Sequence, residues 1–243
     1  MKEGTEMVVA GIVAGGIGAR MGQNIMPKQF LDLAGKPIVV HTIEKFMASP
    51  EIDHVIIGVH PEWIHLMNDM ADKYFPSREN ITIVSGGSHR NETIKNIADE
   101  AERRLGAEDD TILVTHDAVR PFLSLRIIKD NIRAAEEYGI CDTVFGASDT
   151  IVQSDNGEYI TDIPIRKTMY QGQTPQTFKI GIFNQVYQSM TAEELELVTD
   201  ACKMFYLRGY KVHLVNGEVT NFKITYPFDL KIAQIMIGET EHD

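Results

Sequence analysis

Cysteine is scarce in this chain: only Cys141 and Cys202 occur among 243 residues. They stand far apart, and a chain of this length buries enough apolar surface to do without a covalent staple. Both are expected to be reduced, partly buried thiols. No window approaches the roughly 20 consecutive apolar residues that cross a bilayer, which argues against a membrane partner. The opening stretch, MKEGTEMVVAGIVAGG, carries acidic residues and lacks the basic start and cleavage site of a secretory leader. A cytoplasmic protein is therefore expected. Basic residues are in the minority too, with 23 Lys and Arg against 35 Asp and Glu, a formal net charge of −12. Binding to nucleic-acid polymers requires many neutralised phosphates, so that class of partner is disfavoured. A single basic pocket for a small phosphorylated ligand is compatible with an acidic body.

Several chemical signatures are also missing. The eight histidines show no H-E-x-x-H or paired spacing for zinc. No G-x-S-x-G supports a serine hydrolase. The cluster Glu108-Asp109-Asp110 reads as a solvated turn.

What the chain does have is alternation. Apolar runs of strand length occupy 7–13, 54–59, 81–85, 111–115 and 143–147. Stretches of helical spacing lie between them at 37–46, 61–74, 90–105 and 125–138. Trp63, Met67, Met70, Ala71 and Tyr74 form one stripe; Ile94, Ile97, Ala98, Ala101 and Leu105 form another. This pattern predicts an α/β fold, a Rossmann-like and mostly parallel sheet sandwiched by helices. At 150–173 the pattern changes, and Asn156-Gly157 signals a hairpin. A β-arm inserted into the domain is expected there, as a surface flap or a subunit-exchange element. Further helices are predicted at 180–190, 192–207 and 227–237, with a short strand at 212–215. Without linker or repeat, residues 1–243 read as one domain carrying an arm.

The glycine-rich stretch AGIVAGGIGARMGQNIMPKQF spans residues 10–30. A dinucleotide fingerprint would need a third glycine where Met21 stands, and an acidic residue closing a second strand. Glu44 instead falls inside a predicted helix, so the fingerprint fails twice. No G-K-[ST] follows, which excludes a Walker loop. What remains is a loop at 14–18 followed by Arg20 and Lys28. Glycines allow backbone N–H groups to approach phosphate oxygens, and the two cations add a fork and a point charge. A surface loop with two solvated cations is the plainer alternative.

The wider set of motifs is more specific: Ala-Gly-Gly-x-Gly-x-Arg-Met at 14–21, Pro-Lys-Gln-Phe at 27–30, Gly-Lys-Pro-Ile at 35–38, Gly-Gly-Ser-His-Arg-Asn-Glu-Thr at 86–93, His-Asp-Ala-Val-Arg-Pro at 116–121, Gln-Thr-Pro-Gln at 173–176 and Asn-Phe-Lys-Ile-Thr at 221–225. In this order they resemble the nucleotidyltransferases that activate sugars and polyols. Among those, they are similar to the cytidylyltransferases of the 2-C-methyl-D-erythritol 4-phosphate and ribitol 5-phosphate type, over nearly the whole chain. Val119 and the following Phe122 depart from the His-Asp-Ala-Ala-Arg-Pro of the methylerythritol branch, and the runs 170–176 and 199–203 resemble the ribitol 5-phosphate branch, which supplies CDP-ribitol for teichoic acid and related polymers.

The resemblance implies transfer of a cytidylyl group from CTP to a small polyol phosphate, with Mg²⁺ as cofactor and Asp117 as its ligand. Arg20 and Lys28 would stabilise the triphosphate. Val13, Ala14, Gly15, Gly16 and Gly18 would line it, while Gly86, Gly87, Ser88, Arg90, Asn91 and Thr93 would hold cytosine and ribose. Arg166 and Lys223 would position the polyol phosphate, with Arg120 and Thr150 as further substrate contacts. Arg166 lies on the arm, so in a homodimer built through the arm it would serve the partner's site. A reductase producing ribitol phosphate is a further expected partner. Read singly, these residues have plainer meanings: Asp117 a turn residue after a strand, Arg166 a solvated charge, Lys223 a solvent-facing residue of an alternating strand. His116 is expected to be structural. A non-catalytic relative would be expected to lack Arg20, Lys28, Asp117 or Lys223, and all four are present.

Overall fold

A computed structural model describes residues 6–16 and 26–240 of the chain. The first apolar run forms β1 (Val8–Ala14). A two-residue antiparallel ribbon, β2 (Asp32–Leu33) and β3 (Lys36–Pro37), leads into α1 (Ile38–Met47). Then come β4 (His54–Val59), a 3₁₀ turn at Pro61–Trp63, α2 (Ile64–Tyr74) and β5 (Ile81–Ser85). Next, α3 (Arg90–Glu100) runs on into a π-helical turn at Ala101–Leu105, followed by β6 (Ile112–Asp117) and α4 (Leu125–Tyr138). The chain closes with β7 (Ile140–Gly146), β8 (Tyr170–Lys179), α5 (Ile180–Ser189), α6 (Ala192–Leu197), α7 (Ala201–Leu207), β9 (His213–Asn216) and α8 (Pro227–Thr240).

Seven strands form one sheet in the order β5-β4-β1-β6-β8-β7-β9. The pairs β5–β4, β4–β1, β1–β6 and β7–β9 are parallel, and β8 runs antiparallel to both its neighbours. The expected mostly parallel sheet is therefore present. All six residues of β4 are buried, as befits a strand covered on both faces. Val39, Ile43 and Phe46 of α1, Met67 of α2 and Ile127, Ile128 and Ile132 of α4 pack on one side with Val8, Ala10 and Ile12. Ile94 and Ile97 of α3, Phe183 of α5 and Phe205 of α7 cover the other side with Val9 and Phe178. Gly58 allows α3 to lie close: a Cβ there would stand 2.5 Å from Thr93 Cγ2 and 3.1 Å from Ile97 Cδ1.

The structure departs from the sequence pattern in several places. β8 has no apolar run to announce it. Its YQGQTPQTFK is polar, yet Thr174, Gln176 and Thr177 are buried because their side chains find hydrogen bonds, to His116 of β6, Asp200 before α7 and Asn131 of α4. At Pro175, which has no N–H to give, the ladder with β7 shifts register, and the Pro175 carbonyl accepts from the Thr143 hydroxyl at 2.7 Å. The helix expected over 192–207 breaks instead at Val198, which is buried with φ −99° and ψ 101°. Its carbonyl accepts from Asn91 Nδ2 at 2.7 Å, and Asp200 then caps α7. β7 begins three residues before the expected 143, because Gly139 in the left-handed region ends α4 and turns the chain straight into the strand. Finally, residues 170–173, expected in the arm, belong to β8. The remainder, 147–169, carries one β-bridge, Gln153–Asp162, and a 3₁₀ turn at Arg166–Thr168 rather than a regular ladder. No described helix is long and apolar enough to cross a membrane.

Candidate active site

Parallel strands direct their carboxyl ends to one edge of the sheet, where open α/β folds bind ligands. Val13 of β1 and Asp117 of β6 are paired neighbours at that edge, and Ala14 pairs with Val59 of β4. A cleft of about 360 Å³ opens there. Val13, Ala14, Gly15 and Gly16 form one wall, Gly87, Ser88, His89, Arg90 and Thr93 a second, and Lys28, Asp117 and Lys223 the polar floor.

Each wall has a local cause. Gln29, almost fully buried, donates its side-chain amide to the carbonyls of Ala14 (2.7 Å) and Gly16 (3.0 Å), pinning the glycine turn. At the second wall, His89 caps α3 by accepting from Glu92 N, and Glu92 accepts from both the backbone and hydroxyl of Ser88 at 2.6 Å. Those bonds hold the Glu92 carboxyl below its usual pKa. Thr93 accepts from Gly87 N at 3.0 Å, so the turn and the first turn of α3 form one unit. The positive end of α3 thus meets the cleft, a favourable place for phosphate.

Lys223 does not lie in a strand, as its alternating neighbours suggested, but in the segment between β9 and α8. Three contacts fix that segment. Asn221 donates to the Thr174 carbonyl at 2.8 Å, Phe222 stacks on Phe122 with centroids 5.5 Å apart, and Ile224 N donates to the Val119 carbonyl at 2.9 Å. Lys223, between the two anchors, reaches Asp117 Oδ2 at 2.9 Å. Lys28 is tied to the same segment through the Ile224 carbonyl, also at 2.9 Å.

Asp117 is the centre of charge. Besides Lys223, Arg90 Nε stands 3.4 Å and Arg120 Nε 3.5 Å from its carboxylate. Burial opposes its ionisation, but Arg90, Lys223 and Arg120 outweigh burial and hold its pKa far below the carboxylate range. Three cations on one anion leave a local positive excess in an acidic protein, which suits a polyanionic ligand. His116 beside it is fully buried, and burial pushes its pKa down to about 4. Its Nε2 faces the Arg120 carbonyl at 3.1 Å, which can only accept, so Nε2 carries the hydrogen. Nδ1 then accepts from the Thr174 hydroxyl, which accepts in turn from Asp117 N. His116 is neutral and structural, as its sequence context suggested.

The cleft therefore gathers Val13, Ala14, Gly15, Gly16, Lys28, Gly87, Ser88, Arg90, Thr93, Asp117 and Lys223 of the expected set. Gly18 and Arg20 lie outside the described residues. Gly86 sits just behind the wall, its N–H bonded to the Val59 carbonyl. Asn91 turns away from the cleft to bind Val198, and Arg120 supports Asp117 and the Asn221 carbonyl from behind. Both were expected as ligand contacts; here Asn91 is fully buried and Arg120 nearly so. Thr150 and Arg166 are exposed on the 147–169 segment and line no part of this cleft. Gln29 and His89 were missed. Both stand inside quoted motifs, but only the fold shows which way they face.

A glycine turn at the carboxyl ends of parallel strands, facing a carboxylate ringed by cations, defines a nucleotidyltransferase-type α/β protein. The match to known families is more particular: the chain belongs to the IspD family, 2-C-methyl-D-erythritol 4-phosphate cytidylyltransferase, over residues 8–239. It is 52% identical over 234 residues to the ribitol-5-phosphate cytidylyltransferases of Streptococcus pneumoniae serotypes 2 and 4, covering 95% of this chain and 99% of each relative. Among solved structures, it is similar to the 4-diphosphocytidyl-2C-methyl-D-erythritol synthase of Anaerococcus prevotii at 25% identity and a TM-score of 0.78, covering 96% of both chains. The 2-C-methyl-D-erythritol 4-phosphate cytidylyltransferase of Francisella tularensis shares the fold at 24% identity and a TM-score of 0.78, over 95% of this chain and 99% of that one.

Proposed function

We propose that this cytidylyltransferase transfers the cytidylyl group of CTP to D-ribitol 5-phosphate, giving CDP-ribitol and pyrophosphate. The observation that carries the choice of reaction is the ring of Arg90, Arg120 and Lys223 around Asp117 at the mouth of the glycine turn. The choice of polyol rests on the 52% identity to the pneumococcal enzymes. A phosphate oxygen of the substrate attacks the CTP α-phosphorus in line, and the bond to the bridging oxygen of pyrophosphate breaks. Such a step needs positioning and charge neutralisation rather than a covalent enzyme intermediate. Gly15 and Gly16 offer backbone donors, and Lys28 meets the charge that grows on the leaving pyrophosphate. Lys223 exchanges Asp117 for the incoming phosphate.

Asp117 is the only carboxylate among the described residues lining the cleft. One carboxylate beside a triphosphate suits Mg²⁺, which takes oxygen ligands and keeps several waters. Bound there, the ion would neutralise phosphate charge. The exposed arm carries Val152, Tyr159, Ile160, Ile163 and Ile165, an apolar set fit to be covered by a second copy. In such a homodimer Arg166 would serve the partner's polyol phosphate. A reductase supplying ribitol phosphate and a teichoic-acid type of polymer accepting CDP-ribitol would stand on either side of the reaction.

The test is pyrophosphate release from CTP and Mg²⁺ with D-ribitol 5-phosphate or 2-C-methyl-D-erythritol 4-phosphate in parallel. Release with ribitol phosphate alone is expected. Release with methylerythritol phosphate alone would keep the chemistry and overturn the substrate.

A further inference from the structure

Behind the cleft a partly buried polar chain leads away from Asp117 and Arg90. Gln176 on β8 is fully buried. Its amide nitrogen donates to Asp142 Oδ1 of β7 at 3.1 Å and to Asp200 Oδ2, the cap of α7, at 2.7 Å. Its Oε1 accepts from Arg90 Nη1 at 2.9 Å, and Arg90 Nε faces Asp117 Oδ1 at 3.4 Å. Five elements (α3, β6, β7, β8 and the start of α7) meet along this line.

The chemistry allows only one orientation of the Gln176 amide. Asp200, and Asp142 when ionised, can only accept from it, and a guanidinium can only donate to it. A flipped amide would set its oxygen against both carboxylates and its NH₂ against Arg90. Asp142 and Asp200 therefore dictate which atom Arg90 meets.

The groups facing Asp142 are Asp200, Gln176, Arg90, Arg120 and the two thiols. Asp142, Asp200 and Cys202 have ligand atoms within 4.8 Å of one another. Burial, followed by the charge of Asp200, raises Asp142 to about 7, and burial keeps Cys202 a thiol. Asp142 thus holds a proton for part of the time at neutral pH. Both carboxylates already accept from the Gln176 amide, which takes up the oxygens a cation would need.

We propose that Gln176, oriented by Asp142 and Asp200, is a positioning residue that holds Arg90 against Asp117 and so aims the carboxylate of the reacting site. This rests on the reading of Asp117 as part of the cytidylyl-transfer site. None of the three touches the cleft, so their effect must pass through Arg90.

The experiment is a kinetic double-mutant cycle on the full chain with CTP and ribitol 5-phosphate: Gln176→Leu, Arg90→Met and the pair, with Asp117→Asn as reference and a melting temperature for each. Gln176→Leu should lower kcat by roughly tenfold while the KM for the polyol phosphate stays within about twofold. The pair should be no slower than Arg90→Met alone, since a residue acting through another has no effect once that other is gone. Should Gln176→Leu fail to fold, Asp142→Ala, which removes one of the two acceptors, takes its place, with a smaller loss that also vanishes in the Arg90→Met background. Losses that multiply in the pair, or full activity of Arg90→Met, would overturn the proposal. An inactive Asp117→Asn beside multiplying losses defeats the positioning role alone. A fully active Asp117→Asn defeats the reading of the site on which it rests.

Discussion

Replacing Asp142 by asparagine should stabilise the protein more at pH 8 than at pH 5. In the folded chain burial, with Asp200 adding, raises the Asp142 pKa from 3.8 to about 7. The folded state therefore holds the proton more tightly than the unfolded one, in which the carboxyl titrates near about 3.9. Stability from this group is complete below about pH 4 and is lost as the pH rises toward 7, above which the carboxyl is ionised in both states. The difference corresponds to about 4 kcal/mol in full, of which about 1.5 kcal/mol has developed by pH 5. Asparagine keeps the shape and the acceptor for Gln176 but cannot ionise, so it escapes this decline. The stability gap between variant and parent should widen by about 2–3 kcal/mol from pH 5 to pH 8. Urea unfolding of both proteins at the two pH values measures it. A gap constant within about 0.5 kcal/mol would refute the raised carboxyl, and with it the account of how burial and Asp200 act on this residue.

Three other outcomes follow from the same structure. Lys28→Ala should reduce turnover far more than it weakens polyol phosphate binding, because its contacts strengthen as pyrophosphate leaves; a change in KM alone would remove it from that role. Burial raises Cys141 to about 12 and Cys202 well above its ordinary value, so a thiol reagent should label neither in the native protein and both in urea. Fast native labelling would contradict their burial. Gly58→Ala sets a methyl against Thr93 and Ile97 and should cost about 1–3 kcal/mol in denaturant unfolding, as overpacking does; a neutral result would mean α3 has room to retreat.

The parallel strands and the helices over them were legible because they obey periodicity: β4 is apolar at nearly every position, and the Met67–Ala71 stripe of α2 faces the core. β8 was not legible, since its buried face is made of Thr and Gln whose side-chain partners come from β6, β7, α4 and the loops. Hydrogen bonding replaces hydrophobicity there, and no periodicity records it. For the same reason Asp200 looked like the middle of a helix when it is the cap that starts one. Asp117 could be read from its place after a strand and from the resemblance. Its three cations come from positions 90, 120 and 223, and only folding makes them neighbours. The roles of Gln29 and Gln176 were hidden similarly, because a buried amide announces nothing until its acceptors are known.

The ties of Lys223 to Asp117 and of Lys28 to the Ile224 carbonyl also bear on how the protein lets go. When a nucleotide arrives, these ammonium groups swap one set of oxygens for another instead of leaving bulk water, so occupancy gains only the difference between two sets of contacts. The same swap runs backwards when pyrophosphate departs, with the protein's own oxygens ready to receive the freed ammonium groups. A cleft wired in this way holds its ligand less tightly than one whose cations stood unpaired, and it keeps oxygens in place to which the ammonium groups return.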